Sequence, residues 1–189
     1  MKHQILVAAA IASLSTAALA APESYTLDSR HLYPIFEVSH MGLSIQRGRF
    51  NKAAGTLRLD RAAKSGAIDV SIDVASIDMG IEKWDQHMKS EDFFNVAKFP
   101  NITYKATKLM FDGDKVVGAD GELTLLGVTK PVKVAVSDFN CKMHPVLKKD
   151  ACGGNVTAMI KRTDFGMGYG LPNIGDDIKL TIPVEAIKD

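Results

Sequence analysis

Chemistry-bearing side chains are few in this 189-residue chain, and three histidines, His31, His40 and His87, lead them. Imidazole can ligate a metal or move a proton near neutral pH. Their spacings match no helical or hairpin ligand pair, so metal is not expected. A metal-assisted hydrolase using these three stands as the rival reading. Ser44 follows His40 by four residues, on the same strand face but too far along it for a nucleophile–base pair. A G-x-S-x-G nucleophile elbow is absent from the sequence. The glycines of Asp164–Gly170, DFGMGYG, lack the strand–loop–helix context of a phosphate cradle and read as a mobile loop. Arg162 with Asp164 reads as a strand-end ion pair. His87 with Asp85 either orients a ligand or ties a helix to the remaining fold. No residue is expected to be catalytic.

Cys141 and Cys152 are the only cysteines, with ten residues between them. A bond between them closes a short loop and stabilises the fold by roughly 3 kcal/mol on the chain-entropy model. The alternative is a metal site completed by His144, for which the spacing is loose and a fourth ligand is missing. The disulfide is the expectation, and it fits the N-terminus. Lys2 and His3 precede the apolar run Ile5–Leu14, and Ala18-Leu19-Ala20 forms a small-x-small cleavage site. Residues 1–20 therefore read as a secretory signal peptide. The run is too short to serve as a transmembrane anchor.

Of 23 lysines and arginines only Lys2 lies in that leader, which leaves 22 against 22 acidic residues. A neutral chain has no basic surplus for phosphates, so nucleic acid is excluded as a partner. The expected destination is the periplasm, with the outside medium equally permissive for a disulfide. A homodimer is compatible with the composition and is not implied by it.

Few as they are, these groups must be held by strands. Period-two alternation recurs in Phe36–His40, Leu57–Leu59, Ile68–Val74, Ile102–Ala106, Val156–Ile160 and Ile178–Val184, each with one apolar face. In GELTLLGVTKPVKVAV (Gly121–Val136), Leu123 and Leu125 share one face, and Val132, Val134 and Val136 another. Gly127 supplies the turn between the two runs, and Pro131 stands where a strand begins. Gly, Asp and Asn clusters punctuate the runs. The pattern predicts an all-β antiparallel sandwich or up-and-down barrel in one domain, residues 21–189. One helix is expected from Ile81 to Ser90 or as far as Phe94, with Trp84, His87 and Met88 on one face.

The joint order of motifs resembles the YceI-like family of periplasmic, lipocalin-like proteins over nearly the whole mature chain. The resemblance rests on Tyr25, Leu27, Asp28 and His31; on FEVSHMGLSIQRGRFNKAAGTL (Phe36–Leu57); and on DQHMKSEDFFNVAKFP (Asp85–Pro100). It continues through Gly121–Val132 and closes on Arg162, Asp164, Phe165 and Gly166. Family members often carry serine after the first histidine, where this chain has Leu32, and the cysteine-bearing insert is a further departure. Membership implies an antiparallel up-and-down barrel of about eight strands with an apolar channel. It also implies a non-enzymatic role: holding a long-chain amphiphile (a polyisoprenoid, isoprenoid quinone or fatty amide) for transport, storage or sequestration, lipophilic antibiotics included. A cofactor is not implied beyond such a bound lipid.

Parity then nominates the inward residues Phe36, Val38, His40, Phe50, Leu57, Val70, Ile72, Tyr104, Leu123, Leu125, Val134, Ile160, Leu180 and Ile182. Trp84, Met88, Phe93 and Phe94 are nominated to close one end. Met79, Met88, Met110 and Met159 offer an adaptable lining. Each nominee either lines a cavity or fills a packed core, the latter making this a packed-barrel interaction protein. His40 either bonds a ligand headgroup or is a satisfied core histidine bonded to backbone or to Asp28.

Overall fold

The computed structural model describes residues 21–189; the proposed leader lies outside them. Eleven strand segments form a closed antiparallel barrel of eight strands. The first barrel strand is broken into β1 (Glu23–Leu27) and β2 (Ile35–His40), the second into β3 (Ser44–Phe50) and β4 (Ala53–Asp60), and the third into β5 (Ser65–Asp73) and β6 (Ile77–Asp78). The unbroken strands are β7 (Asn101–Asp112), β8 (Lys115–Leu125), β9 (Val128–Met143), β10 (Asp150–Lys161) and β11 (Ile174–Lys188). Each neighbours the next in sequence. Closure comes from β11, which pairs with β10 on one side and with both β1 and β2 on the other.

Alternation fixes which side chains enter the barrel, and irregularities reset it. In β7, Ile102, Tyr104 and Ala106 share the inner face until a register shift between Ala106 and Lys108. Beyond it Leu109 is buried. In β9 Val132, Val134 and Val136 face inward. Asp138, at φ 55°, then shifts the register so that Phe139 takes the inner side. The β8–β9 hairpin turns through Leu126 (φ 51°) and Gly127 (φ 74°), the two left-handed residues a tight hairpin needs. Pro131 is the fourth residue of β9 rather than its start. Pairing of β9 with β10 extends only to Ala135, so the missing N–H of Pro131 interrupts no ladder on that side.

Two apolar layers pin the ends. Tyr25, Leu27, Leu59 and Ala186 are buried near the chain termini. At the other end Phe36, Phe50 and Phe94 pack with ring centroids 5.4–6.4 Å apart, within the favourable range for tilted aromatic pairs. Over this second end lies α1 (Glu82–Lys89), the one α-helix among the described residues. It stops before Phe93 and Phe94, which occupy turns instead of the helix extension the sequence suggested. Ser90 is extended, and its hydroxyl donates to the His87 carbonyl at 2.7 Å, terminating the helix.

Candidate ligand-binding site

A cavity of about 500 Å³ occupies the barrel interior, inside the size range of small-molecule pockets. Its wall is built strand by strand. Phe36, Val38 and His40 come from β2, Phe50 from β3, Leu57 from β4, Val70 and Ile72 from β5, and Tyr104 from β7. Leu123 and Leu125 come from β8, Val134 from β9, Ile160 from β10, and Leu180 and Ile182 from β11. Trp84 and Met88 of α1 and the following Phe93 and Phe94 line the helix end. Every residue nominated by parity thus borders one space.

Other lining residues follow from the same alternation and were not nominated: Ile68, Ile102, Val132, Val136, Val156, Ala158, Ile178 and Val184. Leu109, Val116 and Phe139 were hidden by shifts in strand register. Arg162, Met167, Tyr169 and Ile174 come from a segment with no period to read. Two methionine expectations are corrected. Met159 alternates with Ala158 and Ile160 and is exposed, while Met110 lies past the β7 shift, against Gly118 and off the cavity wall. Met79 and Met88 do line the space.

Polar lining groups collect at the α1 end. His40 pairs in register with Ser44 and with Ile174, and Gln46 pairs with Val38. His87, Phe93 and Tyr169 form a mutual edge-to-face trio with centroids 5.1–5.3 Å apart. Arg162 is 2 % exposed and donates from Nε to the Gly175 carbonyl (2.8 Å), from Nη1 to Met167 (3.1 Å) and from Nη2 to Ile174 (2.9 Å). Burial lowers the pKa of this guanidinium, which stays charged at neutral pH. Arg162 therefore makes no ion pair with exposed Asp164. It organises the 162–175 segment from inside, with Phe165 and Met167 buried around it, so this stretch is anchored at the barrel mouth and is not the loose loop its glycines suggested. Deeper in, the Tyr104 hydroxyl donates to the Val132 carbonyl at 3.1 Å. Burial, then the Asp120 charge, pushes its pKa up to about 12, so it remains a donor.

The histidines separate by role. His31 Nδ1 lies 3.0 Å from Asp28 and 3.6 Å from Glu185, away from the cavity-lining His40 and His87. A three-histidine site is not assembled. Among the described residues, Asp28, His31 and Glu185 form the one group of potential metal-ligand atoms lying within 4.8 Å of one another. Arg30 donates to both oxygens of Asp28, at 2.9 and 2.8 Å, and that guanidinium opposes a cation there. Asp28 is therefore not the partner of His40. His87 bonds Asp92 at 2.9 Å, whereas Asp85 accepts the Met79 N–H at 2.6 Å. Cys141 and Cys152 are joined in a disulfide. His144 is no ligand partner to them, since its Nδ1 accepts the backbone N–H groups of Val146 and Leu147.

Comparison with known proteins agrees with this architecture. The YceI-like domain model matches residues 25–186. A UPF0312 protein of Shewanella denitrificans is 34% identical over 197 residues, covering 100% of both chains. The crystal structure of the Campylobacter jejuni YCEI protein superposes with a TM-score of 0.69 at 26% identity, covering 80% of this chain and 90% of that one. A polyisoprenoid binding domain from Saccharophagus degradans, implicated in plant cell wall breakdown, superposes with a TM-score of 0.64. It is 16% identical and covers 88% of this chain and 99% of that one, a likeness of fold. With a family match across nearly all the described residues and full-length relatives above 30% identity, the chain belongs to the YceI-like family.

Proposed function

We propose that this protein is a non-enzymatic, exported carrier that holds one long-chain amphiphile in the barrel, its chain in the apolar interior and its headgroup at the α1 end. The observation that carries the reading is the cavity itself: an unfilled space of about 500 Å³ whose wall is almost wholly apolar. An alkyl or isoprenoid chain moved there from water gains roughly 25 cal/mol per Å² of apolar surface buried, without any reacting group. A packed-barrel protein would have no use for such a space. Clustering of His40, Gln46, His87, Arg162 and Tyr169 at one end supplies hydrogen-bonding groups for a head and leaves the other end for a tail.

Polyisoprenoids, isoprenoid quinones and fatty amides all fit this chemistry, and the Saccharophagus degradans neighbour is described as polyisoprenoid binding. Transport, storage and sequestration all use the same bound state. The leader-like residues 1–20 and the Cys141–Cys152 disulfide support a periplasmic site of action. No helix of the described residues is long and apolar enough to cross a membrane.

Trp84 is the single tryptophan and borders the cavity, which makes it a reporter. Titration of delipidated protein with a polyprenol or a quinone should change its fluorescence saturably, with one site. A response that is linear and equal to that of free tryptophan overturns the reading.

A further inference from the structure

The β9–β10 hairpin runs past its neighbours. Pairing of β9 with β8 ends at Ala135, and pairing of β10 with β11 ends at Ala151. Residues 143–149 therefore stand beyond both flanking strands, with Lys142 level with the last β10–β11 pair, just outside the Cys141–Cys152 staple, whose two residues are register partners. Their tip is ordered from within. The Lys148 N–H donates to the His144 carbonyl at 3.0 Å, and the His144 N–H donates to the Lys149 carbonyl at 2.8 Å. His144 Nδ1 accepts from Val146 and Leu147.

This rigid turn displays apolar side chains that no fold requirement explains: Met143 is 57 % exposed, Val146 79 % and Leu147 43 %. Around them Lys142, Lys148 and Lys149 are all exposed. No acidic residue lies within 142–149, and none of these lysines is in ion-pair contact with a carboxylate among the described residues. Asp150, beside them, is engaged by Lys188 at 3.8 Å. A polar turn would close the hairpin equally well, so the combination of three bare cations and a compact apolar wedge asks for a surface of matching character.

We propose that this stapled hairpin is a membrane-docking tip for bilayers rich in anionic lipid, with Met143, Val146 and Leu147 entering the headgroup–acyl boundary and the three lysines contacting lipid phosphates. Charge complementarity selects the bilayer. Lysines near an anionic membrane surface each strengthen binding about fivefold, and an apolar wedge between them gains most where acyl chains lie beneath the charge. The proposal stands apart from the cavity reading, since docking needs no bound ligand.

Flotation with vesicles tests it, using disulfide-intact protein and either equimolar phosphatidylglycerol and phosphatidylcholine or phosphatidylcholine alone. The protein should float with the anionic vesicles at about 25 mM salt and be released at about 500 mM, as screening shortens the reach of the lysines. The K142Q/K148N/K149Q variant should bind on the order of 100-fold more weakly, with Asn tolerating the left-handed backbone of Lys148. V146S/L147S should lose binding while keeping its thermal midpoint and its Trp84 titration. No flotation on anionic vesicles at low salt overturns the proposal, as does undiminished binding by the lysine variant. Retention on polyglutamate without flotation also overturns it and assigns the hairpin to an acidic protein partner.

Discussion

Arg162 Nη2 donates to the Ile174 carbonyl at 2.9 Å, and Ile174 stands in register with His40 across β11 and β2. One buried guanidinium thereby fixes the strand that places a histidine at the barrel mouth. Replacing Arg162 with Met leaves the Ile174, Gly175 and Met167 carbonyls without their donor. Stability should fall by about 3 kcal/mol in urea unfolding. Lysine should recover less than half, because an ammonium cannot reproduce the planar fork. A loss below about 0.5 kcal/mol for the Met variant, the scale of an ordinary surface change, contradicts the assigned role.

Filling the cavity should separate binding from folding. Val134 and Leu180 both line the space, and V134F/L180F places two phenyl rings in it. Unfolding free energy should change by less than about 1.5 kcal/mol, since volume is available. The Trp84 titration should weaken at least about tenfold, given that each 1.4 kcal/mol of lost contact is one decade. Unaltered affinity would place the ligand elsewhere.

The disulfide closes a loop of ten intervening residues. Reduction, or C141A/C152A, should lower the unfolding free energy by about 3 kcal/mol, the loop-closure value for this length. The denaturation midpoint of reduced and oxidised protein measures it directly. Equal midpoints would show the staple to be energetically idle.

Alkaline stability should report on two phenols, buried Tyr25 and half-buried Tyr104. Tyr25 is raised to about 12 by burial and its hydrogen bond to Glu23, and Tyr104 to about 12 by burial and Asp120. An unfolded tyrosine loses its proton near 10. As pH rises from about 10 to 12 the unfolded state deprotonates first, so the stability held below 10 is lost across that window. Y104F should flatten the decline, and absorbance titration should show two late-ionising phenols. A pH-independent midpoint from 10 to 12 contradicts the late ionisation of both.

Strand alternation made much of the wall legible. Phe36, Val38 and His40, or Leu180 and Ile182, needed only the period of two and an apolar face. What stayed hidden depended on register and on distant carbonyls. Met110 changed sides because β7 shifts after Ala106, a displacement that leaves no mark in composition. Arg162 looked like half of an ion pair with Asp164, since sequence proximity is visible and three backbone acceptors around a buried guanidinium are not. The breaks at Asn51–Lys52 and Val74–Ser76, which split single barrel strands in two, were equally silent.

Native mass spectrometry of gently purified protein, followed by solvent extraction, tests the carrier reading most directly. One discrete adduct per chain should be present, should leave on extraction, and should carry an isoprenoid or fatty chain. A bare chain mass that stays bare after incubation with polyprenols, quinones and fatty amides contradicts it.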